Sequence, residues 1–259
     1  INFANPNNKE KKMKKMKLAV FFAALVSVLT FSSCLDSNGD GRQEMRANVT
    51  VVGDELIGYK LYADGGGILV PTVANMKQIG DWSKVKRALV YFQHLDDPLP
   101  EFKEDTKYNV QVTGAIPHMG VTPIIDTYQN EDADTLMKNQ DPITDFAIGA
   151  YKGYVTVFAQ FNHNSSEPVY FNMGYDSSKD VDIDNNTLTL TLYYDNGSND
   201  VYNSQQYTYC SFPFSSEFYG KFATDSLDLV VKAASDRGSN YTEKKIKMAV
   251  KDFIAPREY

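Results

Sequence analysis

Thr187-Leu188-Thr189-Leu190-Thr191-Leu192 alternates polar and apolar residues without a fault. A period of two belongs to a strand with its leucines in a core and its threonines in solvent, and Asn196-Gly197 follows as a hairpin signal. Outward from this strand, β-rich runs recur at residues 146–151, 154–162, 169–173, 206–212, 227–232 and 244–250, separated by Asn, Gly, Ser and Asp turns. Seven such runs predict a β-sandwich. Residues 216–222, with Ser215 or Ser216 as a cap, are the one segment that reads as a helical turn.

The N-terminal side is also β-rich, but its runs are shorter: residues 48–52, 58–62, 67–70, 85–92 and 108–113. Asp64-Gly65-Gly66-Gly67 punctuates the second and third, where glycine takes positive φ cheaply. Five short strands suit a small barrel, and Trp82, the single tryptophan, reads as its core or edge plug. Residues 124–127 could form one further strand before polar Gln129-Asn130-Glu131-Asp132-Ala133-Asp134 and the breaker Asp141-Pro142. The expected organisation is all-β, with a barrel over 47–130 and a sandwich over 141–259.

Residues 14–34, KKMKLAVFFAALVSVLTFSSC, give the address. Lys14, Lys15 and Lys17 form a basic start, and residues 18–29 form an apolar run too short to span a bilayer. Phe31-Ser32-Ser33-Cys34 resembles the lipobox of bacterial lipoproteins, although Phe31 stands where that pattern prefers Leu or Val. The resemblance implies cleavage before Cys34 and lipid on its thiol and new amino group. Residues 1–12 precede two candidate initiators, Met13 and Met16, and are expected to be upstream sequence; the leader then covers 1–33 and an acidic tether 34–46. The expected location is the cell envelope, lipid-anchored at the outer membrane, with an acidic stretch after Cys34 similar to the export signal of some surface lipoproteins.

Residues 1–33 hold six lysines and one glutamate, so the mature chain carries a formal charge of −12. That balance repels phosphate backbones, and the dispersed Lys244, Lys245, Lys247 and Lys251 do not offset it, so nucleic acid is not an expected partner. Asp36, Asn38, Asp40 and Gly41 match the opening of a calcium loop, but Ala47 stands where a bidentate Glu belongs, which favours a solvated tether.

Signals for chemistry are weak. With Cys34 acylated, Cys210 has no disulfide partner and reads as a buried strand thiol. His94, His118 and His163 lack metal-binding spacing, and Asp96-Asp97 and the Glu131/Asp132/Asp134 group read as solvated turns before they read as a glycosidase pair. No cofactor and no enzymatic activity are expected. The chain holds 17 Tyr and 15 Phe. Tyr151, Tyr154, Tyr170, Tyr175, Tyr193, Tyr194, Tyr202, Tyr207 and Tyr209 are candidates for a protein- or glycan-binding surface, although most aromatics of a helix-poor chain must serve its core. Asp134-Thr135-Leu136 and Asp225-Ser226-Leu227 resemble the acceptor of periplasmic O-glycosylation, with Thr135 the better placed.

Taken in order, SSCLDSNGDG, GYKLYADGGGILVP, VKRALVYFQHLDD, KYNVQVTGAIP and the second β-rich region resemble the NigD-like family of Gram-negative lipoproteins. The resemblance implies an OB-type barrel followed by a β-sandwich. It also implies a binding or protective role at the envelope, since the founding member lies in a bacteriocin gene cluster and an immunity role was proposed for it. It supplies no catalytic or ligand residues. The alternative function is a carbohydrate-binding surface lipoprotein of a glycan-uptake system.

Overall fold

The computed structural model describes residues 42–98, 100, 103–130, 140–163, 168–197, 204–222, 224–237 and 240–256. Cys34, the tether acids Asp36, Asn38 and Asp40, the Glu131/Asp132/Asp134 group, Thr135 and Tyr202 lie outside them. Arg46–Tyr259 forms one compact unit.

Five strands, β1 (Glu44–Asp54), β2 (Gly58–Ala63), β3 (Ile68–Pro71), β4 (Arg87–His94) and β5 (Lys107–Pro117), close into a barrel in the order β1-β2-β3-β5-β4. Alternation fills it: Val49, Val51, Leu61, Val90 and Val112 are buried, and Trp82 donates its Nε1–H to the Met76 carbonyl at 3.0 Å. The all-β reading with a barrel ahead of a sandwich holds. It missed a two-residue strand at Val181–Asp182, a 3-10 turn at Val250–Phe253 and helix α1 (Val73–Ile79). Thr72 caps this helix by accepting from the Asn75 N–H, but seven residues with only Met76 buried carry too little periodicity to announce a helix.

The sandwich pairs a six-stranded sheet with a three-stranded one. The first contains β6 (Ile125–Asp126), β9 (Tyr170–Tyr175), β10 (Val181–Asp182), β11 (Thr187–Asp195), β13 (Ser226–Ala234) and β14 (Tyr241–Ala249). The second runs β12 (Gln205–Pro213), β8 (Tyr154–Asn162) and β7 (Ile143–Tyr151). Ile125–Asp126, grouped with the barrel on sequence, pairs in parallel with β9 of the sandwich. The helical turn read over 216–222 is a 3-10 turn at Ser216–Phe218.

Leu188, Leu190 and Leu192 face the sandwich core with Met173, Leu229 and Val231, opposite Val157, Phe161, Cys210 and Phe212. Thr191, expected in solvent, is 5% exposed. β11 lies between β9 and β13, and Tyr193, two residues on along the same face, shares a side-chain hydrogen bond with Thr191. Cys210 is buried with its thiol pushed well above the usual range by burial, as a core cysteine should be.

Candidate binding face

Arg87 opens β4, where four consecutive residues, Arg87 to Val90, are buried. A strand buried on both faces has neighbours on both: Ala88 and Val90 point into the barrel, while Arg87 reaches the sandwich. All five guanidinium N–H groups are used. Nη1 and Nη2 donate to the two Asp64 carboxylate oxygens at 2.6 Å each, Nη1 also to Thr50 at 3.0 Å, Nη2 to Thr156 at 2.6 Å, and Nε to Ser211 at 3.4 Å. Thr50 and Asp64 belong to the barrel, Thr156 and Ser211 to β8 and β12. One buried cation therefore ties the two β-structures together, with the Tyr154 ring 5.3 Å from the guanidinium carbon.

His118 extends this network. Its Nε2 lies 3.2 Å from Asn48 Oδ1 and its Nδ1 2.7 Å from Ser211 Oγ, which in turn lies 2.9 Å from Thr156 Oγ1. Nε2–H donating to Asn48 leaves Nδ1 to accept from Ser211, an assignment made from the network. Burial and then the charge of Arg87 push the His118 pKa down to about 3, so the ring is neutral. The seam is satisfied and its guanidinium is closed to solvent, with Asp64 at the partly exposed edge, which suits a clamp. A second contact comes from the β7–β8 hairpin: the Lys152 ammonium lies 3.9 Å from Glu104 and 5.5 Å from the Tyr62 ring centroid.

From the seam an aromatic ladder runs out along the three-stranded sheet. His118 stacks on Tyr209 with centroids 5.2 Å apart and planes 14° from parallel; Tyr209 meets Phe158 at 4.9 Å; Phe158 stacks on Tyr207 at 5.8 Å and 13°. Register explains the alignment. Tyr209 pairs with Phe158 and Phe158 with Ala147, while the next rung is Tyr207, Gln160 and Asp145 and the one after pairs Gln205 with Asn162. All of these lie on the sheet face opposite Val157, Phe161, Cys210 and Phe212. Exposure rises along the ladder from His118 at 6% to Phe158 at 36% and Tyr207 at 55%. Beyond its far end, Asn162 also lines a recess of about 560 Å³ with Asp141, Thr144, Asn196 and Arg237.

The structure sorts the tyrosine candidates. Tyr154, Tyr175 and Tyr194 are core residues, Tyr151 and Tyr193 are half-buried, and Tyr170 and Tyr207 are exposed. Tyr170 is the exposed tyrosine of β9, in the other sheet, whereas Tyr207 and Tyr209 join one face. Sequence reasoning missed Phe158 and Arg87. Phe158 has a legible signal, because it occupies the outward phase of β8 with Thr156, Gln160 and Asn162. Arg87, beside Lys86, has none that separates it from a solvated strand end.

The other chemical candidates are dispersed. His94 sits at a barrel strand end between Phe92 and Tyr108, with burial lowering its pKa against the pull of Asp96. His163 is buried beside Phe161. Asp96 brackets Asn109, accepting from its backbone N–H at 2.8 Å and its side-chain amide at 2.6 Å. Lys244, Lys245 and Lys251 pair with Asp145, Asp228 and Glu104. Ser226 begins β13, half-buried, with Leu227 at 1% exposure behind it. Among the described residues no group of three or more His, Cys, Asp or Glu is placed to hold a metal ion, and no helix is long and apolar enough to cross a membrane.

Residues 124–248 match the NigD-like C-terminal beta sandwich domain family. A crystal structure of a putative toxin-related protein from Parabacteroides distasonis is similar over 82% of this chain and 96% of its own, with 18% identity and a TM-score of 0.57. A NigD-like immunity protein from Bacteroides caccae is similar over 82% and 99%, with 15% identity and a TM-score of 0.53. At such identities the likeness concerns the fold. No curated protein matches the chain.

Proposed function

We propose, for a chain that belongs to the NigD-like family through its C-terminal β sandwich domain, a non-enzymatic binding and protective role at the cell envelope, of the immunity type. The chain is held there by lipid on Cys34 and acts by occupying a ligand, with no turnover. The observation that carries this reading is the Tyr209–Phe158–Tyr207 ladder. An outward sheet face that presents aromatic rings beside a locked inter-domain seam offers a preorganised surface, and preorganisation lowers the ordering cost of binding. The immunity protein from Bacteroides caccae, similar over nearly its whole length, supports the protective part. Capture of a glycan for uptake is the second reading, favoured by the aromatic and amide composition of the same face.

Deleting the gene in the native host should raise sensitivity to an envelope-targeting toxin, and complementation should restore resistance. Cys34→Ala should move the protein from membranes to the soluble fraction and fail to complement. Unchanged sensitivity on deletion, or catalytic turnover abolished by substituting a single Asp, Glu or His, would overturn the reading.

A further inference from the structure

The outward positions of a half-buried strand are ordinarily polar, and β8 obeys this at Thr156, Gln160 and Asn162 but not at Phe158. Leaving that ring 36% exposed beside a Tyr207 that is 55% exposed forgoes burial that either ring could otherwise gain. The neighbouring strand makes room instead of covering them. β7 places Ala147 beside Phe158 and Gly149 beside Thr156, and a Cβ added to Gly149 would meet nothing within 4 Å. The rings therefore form a wall above a low floor of small residues.

Amides predominate among the polar groups on this face. Gln160, Asn162 and Gln205 are amides; Gln205 Oε1 accepts from the Tyr207 hydroxyl at 2.9 Å, which leaves its NH2 to donate, and the acid of the set, Asp145, is held by Lys244 at 3.0 Å. Uncharged amides beside aromatic faces match a ligand with hydroxyls along its edges and C–H groups on its faces, which describes a pyranose. The paired acid and the acidic character of the mature chain disfavour polyanions. Size separates a glycan from a protein partner. Three strands about 4.8 Å apart and three rungs about 6.8 Å apart span roughly 10 by 14 Å, a few hundred Å² with side chains, against about 800 Å² per partner in a stable protein interface.

We propose that the Tyr209–Phe158–Tyr207 face is a binding surface for a neutral oligosaccharide, its sugar rings stacked on Phe158 and Tyr207 and its hydroxyls met by Gln160, Gln205 and Asn162. This rests on the reading of the sheet face as the ligand surface and is independent of the protective role.

The test uses the full chain, purified in detergent, titrated calorimetrically with cello-, malto-, manno- and xylo-oligosaccharides and with heparin as an anionic control. At least one neutral oligosaccharide should bind saturably and heparin should not. Tyr207→Ala and Phe158→Ala should each weaken binding by roughly tenfold or more, while Tyr170→Ala, an equally exposed tyrosine in the other sheet, should leave it unchanged. Tyr207 is exposed enough that its removal leaves folding intact, which an unchanged thermal transition should show. Absence of binding to every neutral oligosaccharide, or binding that survives both ladder substitutions, overturns the proposal. A protein ligand bound through this face in place of any sugar also overturns it, while leaving the proposed function standing; sugar binding without altered toxin sensitivity on deletion does the reverse.

Discussion

Arg87→Leu and Asp64→Asn probe the two halves of the inter-domain clamp and should not cost the same. Removing one partner of a buried ion pair costs about 3–5 kcal/mol, most of it the penalty of leaving the other charge buried without compensation. The Arg87 side chain is 0% exposed and that of Asp64 27%. A stranded Asp64 can therefore recruit water, whereas a stranded Arg87 cannot. Arg87→Leu should lie near the lower end, about 3 kcal/mol, because Thr156, Ser211 and His118 still satisfy one another after the guanidinium is gone. Asp64→Asn should lie nearer 5 kcal/mol, since a neutral amide supplies one acceptor where two charged oxygens stood. Urea denaturation reads this directly: at an m-value of about 2–3 kcal/mol/M, a loss of 3 kcal/mol lowers the midpoint by about 1 M or more with the slope unchanged. If both variants stay within about 1 kcal/mol of the parent, or if Arg87→Leu is the worse of the two, the clamp argument is wrong.

Acid should loosen the same seam. The folded pKa of His118 is depressed to about 3 against an unfolded value of 6.5, so the unfolded chain binds the extra proton between those values and stability falls as pH drops through that window. His118 alone contributes a slope of at most about 1.4 kcal/mol per pH unit, and His94, also depressed, adds its own; His118→Gln should flatten the profile between pH 6.5 and 4.5, and an unchanged profile would refute the assignment. Gly153 has φ of +91° and a Cβ there would lie 2.5 Å from the Ala255 nitrogen, so Gly153→Ala should lower stability by about 2–3 kcal/mol. Gly58, at +84° with open space around it, should cost only about 1 kcal/mol in the same thermal assay, and equal losses would mean that the C-terminal segment does not constrain the hairpin. Peptide mass spectrometry of protein from the native host should find O-linked glycan on Thr135 and none on Ser226, which the start of β13 half-buries; the opposite pattern would remove the acceptor reading.

The strands were legible because each carries its own evidence. Thr187 to Leu192 declares its buried face by alternation alone, and Tyr154 to Asn162 is the same segment in sequence and structure, since pleat and register turn a period of two directly into inside and outside. The expected leader, the acidic balance its removal would leave and the family resemblance are likewise read from short stretches of sequence. What the fold alone decided depends on partners far apart in the chain. Arg87 and Ser211 are 124 positions apart, and nothing local tells a strand-opening arginine that its five donors will meet Asp64, Thr50, Thr156 and Ser211 instead of water. The ladder is of the same kind. The phase of β8 turns Phe158 outward, but only the pairing of β8 with β12 brings Tyr207 and Tyr209 beside it on one face. Sequence periodicity assigns a side chain to one face or the other; which faces are covered, and by what, follows from long-range strand pairing and sheet packing, where the energy of burial is settled.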